Sequence, residues 1–142
     1  MNELETLARK ATLTDKTILV VEDSEDNRIL AMHFLRNGGF HPICVGDGAE
    51  ALAYLSAHDA PDAILLDLRM PNIDGWEFLE AQRRDQRIAA IPVVIYSCEV
   101  HLRGERGLSP NVVSCVCKTD GSAALLKAVN SAVATFSGNF RH

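Results

Sequence analysis

The tetrapeptide Ala63-Ile64-Leu65-Leu66 constrains this chain more than any other stretch. Asp67 closes it, and Leu68-Arg69-Met70-Pro71-Asn72-Ile73-Asp74-Gly75 follows. Four consecutive apolar residues leave no polar face for water, and the Pro/Gly-rich turn bounds the run. The segment therefore predicts a strand at the centre of a sheet covered on both faces. Its last carboxylate is delivered to the C-terminal sheet edge, where open α/β folds build their sites.

The same unit recurs along the chain. Residues 17–21 predict a first strand, 41–45 a second, 63–66 the third, 91–96 a fourth and 112–117 a fifth. Residues 25–37 carry Ile29, Leu30, Met32, Phe34 and Leu35 at helical spacing. Ser24 suits the N-cap, and Gly38-Gly39 the stop. Residues 48–57 predict a second helix, 75–86 a third through Trp76, Phe78 and Leu79, and 121–136 a last one through Leu125, Leu126, Val129 and Val133. Between the last two strands, Gly104, Gly107 and Pro110 are poor helix residues, so one or two turns near 98–106 and then an irregular loop are expected. Five βα units with short loops imply a parallel sheet wrapped on both faces. Right-handed crossovers favour a flavodoxin-like (βα)5 three-layer sandwich, with its five-stranded sheet in the order 2-1-3-4-5.

Composition narrows the function. A length of 142 residues fits one domain with a proper core. A net charge of −5 argues against charge-driven nucleic-acid binding. No run reaches the length of a membrane span and no signal-like core opens the chain, so a cytoplasmic location is expected. Cys44, Cys98, Cys115 and Cys117 show no CxxC spacing, and reduced thiols follow. Cys115 and Cys117 would share one face of a strand as core packing. Residues 1–16 precede the pattern as an extension, where Leu4, Leu7, Ala8 and Ala11 suggest a short amphipathic helix. Residues 17–142 form the domain, its last helix reaching about residue 136.

The expected strand order sets strands one and three side by side, so Glu22-Asp23 meets Asp67 at the switch point. Three converging carboxylates repel one another, and a hard divalent cation such as Mg²⁺ is their natural guest.

Four motifs stand in order at strand ends: Val-Val-Glu-Asp-Ser-Glu-Asp-Asn-Arg, Leu-Leu-Asp-Leu-Arg-Met-Pro-Asn-Ile-Asp-Gly-Trp-Glu, Val-Val-Ile-Tyr-Ser and Val-Cys-Lys. Together they resemble the receiver domain of bacterial two-component response regulators, over roughly residues 17–136. The resemblance implies that Asp67 is the phosphoacceptor, attacking the phosphorus of a phosphohistidine to become an acyl phosphate. It implies direct Mg²⁺ ligation by Asp23, Asp67 and the backbone carbonyl of Arg69, with Glu22 holding a metal-bound water. Lys118 would place its ammonium on a phosphoryl oxygen, and Ser97 would swing in to bond the phosphoryl group. Phosphoryl transfer spreads negative charge over three oxygens, so the protein mainly supplies positive charge and alignment.

Taken singly, each residue has a plainer reading: Asp67 as a turn residue, Lys118 as a surface lysine, Ser97 as a loop hydroxyl, Glu22-Asp23 as acids favoured at a helix start, and Gly75 as a turn glycine. Their joint placement at four strand ends favours the functional reading.

The chain departs from the family pattern twice. Thr119 follows the lysine where most receivers have proline, so a trans bond is expected there. Cys115 stands three before the lysine where most have an aromatic switch residue, which puts the usual aromatic coupling in doubt. Arg69 and Glu99 should flank the pocket mouth, where a pairing would shield the acyl phosphate from water and lengthen its life. Cys98, beside Ser97, would be an oxidant sensor only with a depressed pKa.

The resemblance thus implies a stand-alone receiver, taking its phosphoryl group from a histidine kinase or histidine phosphotransfer protein. It would signal to a downstream target or pass the group along a phosphorelay. It assists its own phosphorylation rather than turning over a substrate. Homodimerisation through the last strand and helices is left open. The alternative is a degenerate receiver that docks to its partner without phosphate. An aspartyl phosphatase fits less well, because such enzymes commonly place a second Asp two residues after the nucleophile, where Arg69 stands.

Overall fold

The computed structural model describes residues 16–70, 74–97 and 110–140, with side chains to residue 135. The expected amphipathic helix before residue 16, the turns near 98–106, and Cys98 and Glu99 lie outside the described residues. The elements are β1 (Thr17–Val21), α1 (Glu25–Asn37), β2 (His41–Val45), α2 (Gly48–Ala57), β3 (Ala63–Leu66), α3 (Gly75–Arg84), β4 (Val93–Tyr96), β5 (Val112–Val116), a single 3₁₀ turn (Lys118–Asp120) and α4 (Ser122–Phe140). The five strands are parallel, in the order β2-β1-β3-β4-β5. The flavodoxin-like expectation holds.

Alternation along the strands divides the core into two layers. Ile18, Val20, Leu65, Val94, Tyr96 and Val116 face α1 and α4, meeting Ala31, Leu35, Leu125 and Val129. Leu19, Val21, Ile64, Leu66, Val93 and Ile95 face α2 and α3, meeting Ala51, Leu55, Phe78 and Leu79. All four residues of β3 are buried, as its lack of a polar face requires.

The helix starts follow the sequence. Ser24 Oγ accepts from the Asn27 amide at 3.3 Å, and Asp47 Oδ1 from Glu50 at 2.8 Å. Asp74 and Glu77 form a reciprocal capping box at the head of α3. Four boundaries differ from expectation. β4 begins at Val93 because the Ile91 amide turns back to the Ile88 carbonyl, and Pro92 has no amide to give. β5 stops at Val116 because the Cys117 amide donates to the Asp120 carboxylate instead of the ladder. Cys117 therefore sits past the strand. α3 closes at Arg84, where the Asp85 amide tightens onto Gln82. α4 starts one residue later and runs on to Phe140.

Candidate functional site

Parallel pairing fixes where the acidic residues land. Val21 pairs with Leu66, and the ladder continues one step as the Asp67 amide donates to the Val21 carbonyl at 3.1 Å. On the other side, the Glu22 amide donates to Val45 at 3.1 Å. Glu22, Asp23 and Asp67 each offer a carboxylate oxygen, and these all lie within 4.8 Å of one another. Glu22 and Asp67 are buried and Asp23 is exposed, so the cluster opens to solvent on the Asp23 side.

Lys118 reaches into this cluster from the far side of the sheet. The turn beyond β5 aims its ammonium at Glu22 Oε1, in a short contact, and at Asp67 Oδ2, 3.2 Å away. Its side chain is 15% exposed. Burial works to lower the lysine pKa, but the hydrogen bond to Glu22 and the charge of Asp67 outweigh it and raise the pKa. The ammonium stays charged. Burial pushes Glu22 upward, the charge of Asp67 adds to this, and the bond from Lys118 opposes it.

The remaining oxygens are held by backbone. Glu22 Oε2 accepts from the Ser24 amide at 3.2 Å, and Asp67 Oδ1 from the Arg69 amide at 3.2 Å. Ser97 is buried at the end of β4, its amide donating to Val116 at 3.2 Å. It therefore stands beside the strand that leads to Lys118. The Arg69 side chain is exposed. Glu99, its expected partner at the mouth, is outside the described residues. The Lys118–Thr119 peptide is trans. Cys115 packs at the edge of the α2/α3 layer.

Three further residues matter: Arg28 and Gly75 stand inside the quoted motifs without a role in the site, and Gln82 lies outside them. Arg28 Nη1 donates to the carbonyls of Glu22 and Asp23, at 2.9 and 3.1 Å. Gly75 lies against the backbone of Asp67 and Leu68. Gln82 is wholly buried beneath the turn that leads into β4.

The donor set suits a hard cation. Oxygen ligands at about 2.1 Å place opposite corners of an octahedron about 4 Å apart. The carboxylates can close on such an ion with small side-chain shifts, or with water completing the shell. Three carboxylates against one ammonium leave an excess of negative charge for it to neutralise. Among the described residues, no helix is long and apolar enough to cross a membrane.

The family model described as response regulator receiver domain matches residues 18–130. A probable methanogenesis regulatory protein, FilR2, from Methanothrix harundinacea is 40% identical over 85 residues, covering 55% of each chain. The polar-differentiation response regulator DivK of Brucella ovis is 33% identical over 79 residues, 56% of this chain and 63% of that one. The match thus spans under two-thirds of either relative's length. The receiver domain of sensor histidine kinase PA1611 from Pseudomonas aeruginosa was crystallised with a magnesium ion coordinated in its active-site cleft. It superposes with a TM-score of 0.72 at 26% identity, over 84% of this chain and 98% of that one.

Proposed function

The chain belongs to the response regulator receiver family of two-component signalling, and from that premise we propose that Asp67 accepts a phosphoryl group from the phosphohistidine of a histidine kinase or histidine phosphotransfer protein. One carboxylate oxygen of Asp67 attacks phosphorus. The P–N bond breaks with its electron pair staying on the donor imidazole, and an acyl phosphate remains on Asp67. The observation that carries this reading is the convergence of Glu22, Asp23 and Asp67, with the Lys118 ammonium 3.2 Å from the proposed nucleophile.

Asp23, Asp67 and the Arg69 carbonyl would hold Mg²⁺ directly, and Glu22 through a water. The ion supplies charge neutralisation between an anionic nucleophile and an anionic donor. Lys118 balances charge on an equatorial phosphoryl oxygen, and the Ser97 hydroxyl donates to another. Ser97 sits at the tip of β4, so recruiting it to the phosphoryl group pulls on that strand end. The modified state then binds a target protein or passes the group along a phosphorelay. The kinship with a sensor kinase's own receiver supports such a partner.

Acetyl phosphate and Mg²⁺, with intact-mass detection, test the reading. The wild type gains one phosphoryl mass and Asp67→Asn gains none. Phosphorylation of Asp67→Asn would move the acceptor elsewhere. A wild type that never gains the mass leaves the phosphate-independent docking module standing.

A further inference from the structure

Two of the three carboxylates in the cluster come from one corner, Glu22-Asp23, where the chain leaves β1 and enters α1. A single guanidinium nitrogen spans this corner. Arg28 Nη1 donates to the Glu22 carbonyl at 2.9 Å and to the Asp23 carbonyl at 3.1 Å. These carbonyls follow the end of β1 and precede the helix, so neither sheet nor helix fixes them fully. The Asp23 carboxylate has no protein hydrogen bond among the described residues, and Asp23 is exposed. Only its backbone is tied, so the placement of that backbone sets where the carboxylate can reach.

We propose that Arg28 is a positioning residue that sets the aim of the Glu22 and Asp23 carboxylates and so the affinity of the site for Mg²⁺. The inference rests on the metal-site reading above and extends it to a residue that touches neither metal nor phosphate. Geometry and charge make opposite demands here. A cation near an acidic cluster repels Mg²⁺, so if Arg28 acted only through its charge, removing it would tighten metal binding. If Arg28 acts as a clamp, removing it frees the corner, and ordering that corner again weakens binding. The sign of the change decides between the two.

The test is calorimetric titration of Mg²⁺ into wild type, Arg28→Ala and Arg28→Lys, with thermal unfolding followed in parallel. Arg28→Ala is expected to weaken Mg²⁺ binding about fivefold or more. Arg28→Lys, which keeps a donor and the charge but not the planar fork, is expected to recover part of the loss. With acetyl phosphate, Arg28→Ala needs more Mg²⁺ for half-maximal phosphorylation but approaches the wild-type rate at saturation. A folded Arg28→Ala protein that binds Mg²⁺ as tightly as wild type, or tighter, overturns the proposal. So does a loss of stability with no loss of affinity. If Arg28→Ala does not fold, Arg28→Met, which keeps the apolar stem and loses the donors, carries the test, with the same weakening expected. A wild type that does not bind Mg²⁺ refutes the metal-site reading itself, which is a different outcome.

Discussion

Gly75 is packed directly against Asp67: a β-carbon at Gly75 would lie 2.6 Å from the Asp67 carbonyl oxygen and 2.7 Å from Leu68 Cα. The Gly75 amide donates to the Leu68 carbonyl at 3.1 Å, so the head of α3 rests on the turn that carries the proposed nucleophile. Both close atoms are backbone and cannot swing aside. Gly75→Ala is therefore expected to push the Asp67-Leu68 backbone away from α3. The cost is about 1–3 kcal/mol, typical of overpacking. Acetyl phosphate should modify the folded variant more slowly than wild type. Urea unfolding and intact-mass time courses check both effects. A variant as stable and as fast as wild type would show that α3 can back away freely.

Lys118 bridges Glu22 and Asp67, and its removal leaves two buried carboxylates facing each other. Lys118→Met keeps most of the apolar stem and deletes the charge. In metal-free buffer at neutral pH it should lose about 1.5–3 kcal/mol, the usual range for hydrogen bonds to charged groups. Mg²⁺ should restore part of that, because binding only the folded state stabilises by about 2.7 kcal/mol at one hundred times the dissociation constant. Phosphorylation should stay slow even at saturating Mg²⁺, since an ion at the carboxylates does not replace a cation on the far phosphoryl oxygen. Thermal unfolding in EDTA decides the first point: a metal-free variant at least as stable as wild type would rule out the counter-ion role.

The limits of α1 were readable in the sequence because Ser24 caps it locally and Gly38-Gly39 stops it, whereas the Asp47 cap of α2 emerges from the structure. The sheet order followed from greasy strands and short crossovers. Glu22, Asp23 and Asp67 follow two strands that pair in register, so their meeting was readable too. Harder to read were the interactions that join distant stretches through backbone. The end of β5 depends on whether the Cys117 amide goes to a neighbouring strand or to Asp120, and both are chemically good partners. The contacts of Arg28 with carbonyls five and six residues back leave no trace in hydropathy, since arginine on a helix otherwise reads as a solvated side chain. The contact of Lys118 with Glu22 joins residues 96 apart, and only the assembled sheet brings them together.

Cys44 on β2 is half-buried beside the α1/α4 layer, and burial pushes its thiol pKa up against the opposing charges of Arg28 and Arg36. The thiolate is the reactive form, so Cys44 should react with iodoacetamide at pH 7.5 more slowly in the native protein than in urea. A raised thiol pKa stabilises the fold below the ordinary thiol range. That contribution falls as pH climbs through the unfolded value of about 8.5 toward the folded one. Peptide-resolved alkylation rates test this. Native Cys44 reacting as fast as in urea would contradict the shielding.

Gln82 on α3 is wholly buried, and its Nε2 donates to the carbonyls of Ile88 and Ile91 at 2.9 and 3.1 Å. Among the described residues its Oε1 has no partner. Flipping the amide would set that oxygen against two carbonyls, so the orientation is fixed by the acceptors. The two bonds fasten the turn that feeds β4, and β4 delivers Ser97. Gln82→Glu keeps the shape but, once ionised, turns both contacts into acceptor against acceptor. The new carboxyl must be protonated to remain buried, and then donates to one carbonyl alone. Its folded pKa therefore lies above the unfolded value of about 4.3. The penalty should be smallest at and below that value, grow as pH rises toward the folded pKa, and level off beyond it. At neutral pH it is expected to reach about 3–5 kcal/mol, the range for an uncompensated buried charge. Urea unfolding of wild type and variant at pH 5 and pH 8 gives the comparison. Equal destabilisation at both would mean that the carboxylate has found solvent or a cation, and that the turn before β4 opens more readily than its buried bonds imply.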